Sequence, residues 1–198
     1  MLKDGYKILS LVEAMDDLTR EMSKDANLHR NALEAVTHEN AAAYGRQFIR
    51  ASFSAVEATL FATKQLAREI AKDMDKLSPA EDIILSETNY RLEDNGVIRS
   101  RRMDISMKAN IRFIFSYMPT LTSSPYILDF EGNDQWANFQ KVVGIRNRLT
   151  HPKSIDDINI TAQEMSDARN AVRWWFDEHA KMMKSVGETL ERSQRNPE

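Results

Sequence analysis

The segment Arg146-Asn147-Arg148-Leu149-Thr150-His151 gathers the side chains of this chain best suited to chemistry. Arginine presents a planar, permanently charged fork of donors that matches phosphate oxygens and would stabilise charge growing on a phosphorane. Histidine, whose ordinary pKa lies near ~6.5, takes or gives a proton at neutral pH. On an ideal helix Asn147 and His151, four apart, share a face, while Arg146 is one step round and must reach back with its long side chain. Pro152 ends the helix, because the residue before a proline is pushed away from α geometry, so His151 is expected at the break. An arginine, an amide and an imidazole at one corner suit a phosphodiester, and RNA would bring its own nucleophile in the 2′-hydroxyl, with no metal required. The same residues have a purely structural reading, since Arg and His in a last turn complement the negative end of the helix dipole and bond its free carbonyls. Residue types and spacing leave both readings open.

The elements that must position this corner are read as helices. Only 6 Gly and 5 Pro punctuate 198 residues, and Ala, Leu, Glu, Lys, Arg and Met recur throughout, which favours an all-α fold. Tyr6, Leu9, Val12, Met15, Leu18 and Met22 recur at helical steps, predicting an amphipathic helix over 3–24 that ends near Ser23-Lys24-Asp25 and is either appended to the bundle or dimerising. From about Asn27 to Met74 there is no Pro and only Gly45, so a long helix is expected, broken or bent near that glycine. Ser78-Pro79-Ala80-Glu81 and Thr161-Ala162-Gln163-Glu164 each carry a capping-box signature. Asn95-Gly96, between short β-branched runs, predicts a small β-hairpin near 88–100, with a bare loop as the alternative. Helical periodicity resumes at Ile105, Ile111, Phe115 and Met118 and is expected to stop at Pro119; 120–134 reads as a connection. Residues 135–149 read as a helix with Trp136, Phe139, Val142 or Val143 and Leu149 inward. The whole is expected to be one domain over 1–192, an antiparallel bundle of four to five main helices, with 193–198 a frayed tail.

Composition excludes several chemistries. With no Cys, there is no disulfide framework, thiolate metal site or cysteine nucleophile, and a reducing compartment fits. The first residues meet charge at once and offer no signal-peptide core, and no segment has the length of a membrane span, so the expectation is a cytoplasmic chain with no membrane contact. A formal net charge of −3 means that a polyanion must meet a local patch, either Arg99-Ser100-Arg101-Arg102 or the run Lys141, Arg146, Arg148, Lys153; the first reads as a solvated face. His29, His38 and His179 lack metal-ligand spacing and read as surface or half-buried residues, so no metal and no cofactor is expected. Trp174 and Trp175 read as core rather than as a base-stacking platform. Asp16-Asp17 and Asp156-Asp157 are adjacent pairs whose side chains diverge; the second is expected in the cap of the final helix.

The six-residue segment resembles the Arg-x4-His motif of HEPN domains, in the subtype with a polar residue, here Asn147, after the arginine. The setting is also similar, with the motif ending one helix, a proline following and a Trp-containing helix next. Upstream, Phe53-Ser54-Ala55-Val56-Glu57-Ala58-Thr59-Leu60 resembles the family's early core helix with its acidic residue at Glu57. The resemblance covers Phe48 to about Val186. It implies a helical bundle forming a homodimer in which two motifs face one cleft, and a metal-independent endoribonuclease leaving 2′,3′-cyclic phosphate and 5′-hydroxyl ends. His151 would be general base or acid, Arg146 the phosphate and transition-state stabiliser, and Asn147 a positioning residue. Arg148 is either a second phosphate contact, with Lys153 beside it, or a solvent-facing charge; Glu57 either orients Arg146 or His151 or sits on the outer face of its helix. Such members act as toxins of toxin-antitoxin pairs or in abortive-infection and other defence systems, with an antitoxin or a defence-complex protein as partner. Where some toxins of the family carry a tyrosine two residues after the histidine, this chain has Lys153, which puts that mode of silencing in doubt. The alternative is a non-catalytic HEPN interaction or adaptor module.

Overall fold

The computed structural model describes residues 5–35 and 38–195; the side chains of Tyr6 and of residues 33–35, 38 and 39 lie outside that description. The described residues form six α-helices, one short 3-10 helix and a two-stranded sheet in the order α1 (Gly5–Ala35), α2 (His38–Asp73), α3 (Pro79–Ser86), β1 (Thr88–Leu92), β2 (Ile98–Arg102), α4 (Met107–Thr122), α5 (Asp134–Thr150), the 3-10 helix (Asp156–Ile158) and α6 (Ala162–Arg195). The protein is mostly helical, as composition predicts.

The boundaries of the first two helices differ from those expected. Ser23-Lys24-Asp25 does not end α1, because a polar triplet without Gly or Pro leaves every backbone hydrogen bond available and the helix runs on to Ala35. Among the described side chains of α1, Ile8 and Met15 are the buried apolar ones, while Leu9 and Leu18 point outward, so the inward face is rotated from the expected stripe. Gly45 does not break α2. It is buried, and a Cβ there would lie 3.1 Å from the sulfur of Met165 on α6, so the missing side chain permits close helix approach.

Contacts divide the chain into two compact units, and α1, α2 and α6 contribute to both. The first unit comprises Met1–Met15, Leu60–Ile127 and Met182–Glu198. In it α3 starts with the expected box, the Ser78 Oγ accepting from Glu81 N and the Glu81 carboxylate accepting from Ser78 N. β1 and β2 pair antiparallel with Leu92 opposite Ile98, around a turn in which Gly96 has φ 79° and the Asn95 side chain accepts from Val97 N. Both strands are exposed along almost their whole length, including Arg99, Arg101 and Arg102. α4 passes Pro119 and continues to Thr122, because a proline near a helix end removes a single N–H bond and Ser123, at φ 59°, closes the helix by donating to the Pro119 and Thr120 carbonyls. Ile70, Leu85, Ile111, Ile114, Met118 and Met182 are fully or nearly fully buried. Among them Lys64 is completely buried, its ammonium donating to Glu87 at 3.0 Å and to Asn110 at 2.7 Å; burial pulls its pKa below the usual lysine range against the opposing pull of Glu87.

The second unit comprises Asp16–Thr59 and Leu128–Lys181. α5 begins at Asn133, whose side chain caps Trp136 N, and its inward residues are Trp136, Phe139, Val142, Val143, Ile145 and Leu149. Phe139 lies at the centre of an aromatic cluster, with ring centroids 5.5 Å from Phe53 of α2 and 5.8 Å from both Trp136 and Trp174. Each fully buried aromatic or branched side chain here contributes roughly 1.5–3 kcal/mol. That packing fixes the rotation of α5 about its axis, and hence the outward direction of Arg146 and Asn147.

Candidate functional site

α5 ends where Pro152 requires. His151 is its C-cap, at φ −127° and ψ 60°, with its N–H donating to the Asn147 carbonyl at 3.0 Å. Thr150 bonds back to the Arg146 carbonyl at 2.8 Å, closing the last turn. The His151 side chain is exposed and makes no hydrogen bond among the described residues.

Arg146 is held from two sides. One guanidinium nitrogen donates to the Asn147 side-chain oxygen at 3.1 Å, and the other donates to the Glu57 carboxylate of α2 at 2.5 Å. Its side chain is 21% exposed and that of Glu57 45%. Of the two roles open to Glu57, the geometry is that of orienting Arg146. A half-exposed pair of this kind is worth ~0–1 kcal/mol, so an incoming anion could displace the carboxylate at little cost.

Arg148 is part-buried rather than freely solvent-facing. It turns to the segment after His151, one nitrogen donating to the carbonyls of Asn159 at 2.8 Å, Asp157 at 3.0 Å and Asp156 at 3.3 Å, and the other to the Glu164 carboxylate at 2.7 Å. Glu164 is also the acidic member of the second expected capping box, receiving Thr161 N at 2.9 Å while Thr161 Oγ1 accepts from Glu164 N at 3.1 Å. Asp157 caps a different element from the one expected. Its carboxylate receives the N–H groups of Lys153 at 2.7 Å and Ser154 at 2.9 Å and so folds the turn after Pro152; those bonds hold its pKa below the ordinary carboxylate range. Lys153 is exposed.

Two residues of the site escape the sequence reading. Arg50 of α2 donates to the Leu149 carbonyl, one of the free acceptors of the α5 terminus, and Arg46, one turn earlier, donates to the Ile158 carbonyl at 3.4 Å. Arg46, Arg50 and Glu57 follow steps of four and seven along α2, so one stripe of that helix serves the end of α5 and the segment beyond it. The available signal was two arginines one turn apart on the helix that also carries Glu57. The structure thus brings Arg146, Asn147 and Glu57 together at the helix end that carries His151, and commits Arg148 to the loop.

The remaining sequence candidates fall outside this group. Trp175 is fully buried and stacks on His179, with centroids 5.1 Å apart, and Trp174 packs on Trp136. His179 is buried rather than surface or half-buried, and that burial pushes its pKa down to about 4. His29 is half-buried, and the His38 side chain lies outside the described residues. Asp17 pairs with Arg20 on the surface of α1. Among the described residues no group of three His, Asp or Glu side chains is placed to hold a metal ion, and no helix is long and apolar enough to cross a membrane. A scan against protein-family models, a search of curated proteins and a search of solved structures each return no match for this chain.

Proposed function

We propose that the protein is a metal-independent endoribonuclease of HEPN type whose site is Arg146, Asn147 and His151, acting as a homodimer in a toxin-antitoxin, abortive-infection or related defence system. One observation carries the reading: a guanidinium steadied by Glu57 and Asn147 at the end of a helix whose terminal residue is an exposed histidine. In the proposed reaction His151 accepts the proton of a ribose 2′-hydroxyl. The 2′-oxygen bonds to phosphorus, the bond from phosphorus to the 5′-oxygen breaks, and a protonated His151 of the second copy gives its proton to that leaving oxygen. Arg146 exchanges the Glu57 carboxylate for a phosphate oxygen, where its charge opposes the charge that grows in the transition state. Arg50 and Arg148 hold the end of α5 and the following turn, a positioning role that requires neither to touch the RNA.

A second reading, a non-catalytic interaction module, is favoured by the commitments of the same arginines. Arg146 and Arg148 both already face carboxylates, and the chain carries a net charge of −3. RNA cleavage in EDTA separates the two. The ribonuclease reading expects wild-type protein to cut RNA, and Arg146→Ala and His151→Ala to lower the rate by at least ~100-fold while melting as the wild type does. A folded wild-type dimer that leaves RNA intact, with no inactivating partner bound, would favour the interaction module.

A further inference from the structure

The second unit contains a cavity of about 280 Å³ that none of the residues discussed as catalytic lines. Its wall includes Arg30 of α1, Phe48 and Ser52 of α2, and Arg169, Arg173 and Phe176 of α6, and it includes no acidic side chain. Three arginines line one small cavity, Arg169 half-buried and Arg30 and Arg173 exposed, and none of them has an ion pair among the described residues. Two polar atoms of the wall are buried without a hydrogen-bond partner, the Ser52 hydroxyl and the Arg169 Nε. Ser52 is completely buried, and a buried hydroxyl without a protein partner ordinarily destabilises a fold. Unpaired cations, orphaned donors and an aromatic wall match the needs of an organic anion.

The cavity is separate from the Arg146 corner. At ~100° per residue, Phe48, Ser52 and Ala55 lie on the flank of α2 roughly 180° from the stripe of Arg46, Arg50 and Glu57. The α6 wall follows the same logic, with Arg169, Val172, Arg173 and Phe176 at steps of three, one and three.

We propose that this cavity is a binding site for a small organic phosphate monoester, its dianionic head on Arg169, Arg173 and Arg30 and its apolar body against Phe48 and Phe176. Three cations suit a head of ~−1.5 to −2 charge better than a single carboxylate, and the volume admits a body about the size of one ring.

Calorimetric titration of the full chain with phenyl phosphate, inorganic phosphate and phenol tests this. Phenyl phosphate is expected to bind saturably and at least ~10-fold more tightly than inorganic phosphate, and phenol not to bind. Arg169→Met and Arg173→Met, each checked for wild-type helicity and melting, should weaken phenyl phosphate by ~10-fold or more. Ser52→Ala should weaken it ~3- to 10-fold while leaving the unliganded protein as stable or more so, a pairing that a merely structural hydroxyl would not give. His151→Ala should bind as wild type, so the outcome does not depend on whether the chain cuts RNA. Equal affinity for phenyl phosphate and inorganic phosphate, or wild-type binding by folded Arg169→Met and Arg173→Met, would overturn the proposal.

Discussion

Replacing Arg148 by Met removes the clamp that ties the end of α5 to the start of α6. Its Nη1 group approaches three carbonyls, at 2.8, 3.0 and 3.3 Å, but its hydrogens serve about two at a time. At part-exposed positions each such bond is worth ~0.5–1 kcal/mol, since water replaces the lost donor for the freed carbonyls. The ion pair to Glu164 has side-chain exposures of 29% and 23%, and solvent screening holds it to ~0.5 kcal/mol. Arg148→Met is therefore expected to cost about 2 kcal/mol, which for a chain of this length lowers Tm by roughly 4–8 °C. Amide exchange should quicken by ~10-fold or more between 154 and 161 and stay slow inside α5. Glu164→Gln, which keeps the box with Thr161, should remove only the ion-pair part, and the double variant should be less than additive. A variant that melts within about 1 °C of wild type with an unchanged exchange pattern would refute the clamp.

Other perturbations follow from the same reasoning. Lys64→Met removes the ammonium that Glu87 and Asn110 share, leaving Glu87 with the Asn110 amide and Arg102, and should cost about 2 kcal/mol in urea unfolding; adding Glu87→Met should cost less than it does alone, and additive losses would contradict the buried pairing. His179 is held neutral by burial, with a folded pKa of about 4 below the ordinary value of 6.5, so its contribution is fully present above pH 6.5 and is lost as pH falls toward 4. Stability measured at pH 7 and at pH 4.5 should therefore differ by about 2 kcal/mol more in wild type than in His179→Phe, and equal pH slopes would count against a buried neutral imidazole. Glu57→Gln should change global stability by less than ~1 kcal/mol yet alter the response of any RNA cleavage to salt, because Arg146 loses its resident carboxylate; a variant indistinguishable from wild type in both would remove Glu57 from the site.

Local chemistry with short range is what the sequence makes legible. The boxes at Ser78 and Thr161, the hairpin around Asn95-Gly96, the inward face of α5 and the break at His151-Pro152 each depend on residues within a few positions. Helix ends without such signals are less legible. Ser23-Lys24-Asp25 looks like a boundary because it is polar, yet nothing there removes a backbone donor, and Gly45 weakens a helix too little to break one packed against Met165. At the site, Arg146, Asn147 and His151 can be chosen from spacing alone, whereas the contacts of Arg50 with Leu149 and of Arg148 with Asn159 span 99 and 11 residues and depend on packing. Arg148 shows why residue type is a weak guide: the same guanidinium chemistry that suits phosphate suits a row of carbonyls equally well.

If Arg146 and His151 direct a ribose 2′-hydroxyl onto its own phosphodiester, blocking that hydroxyl must abolish cleavage. A structured RNA and its uniformly 2′-O-methylated copy are incubated with wild-type protein in EDTA, and the product ends are identified. Cleavage is expected of the unmodified RNA alone, with 2′,3′-cyclic phosphate and 5′-hydroxyl ends that disappear with His151→Ala. Cleavage of the methylated copy, or 5′-phosphate ends from either RNA, would contradict it.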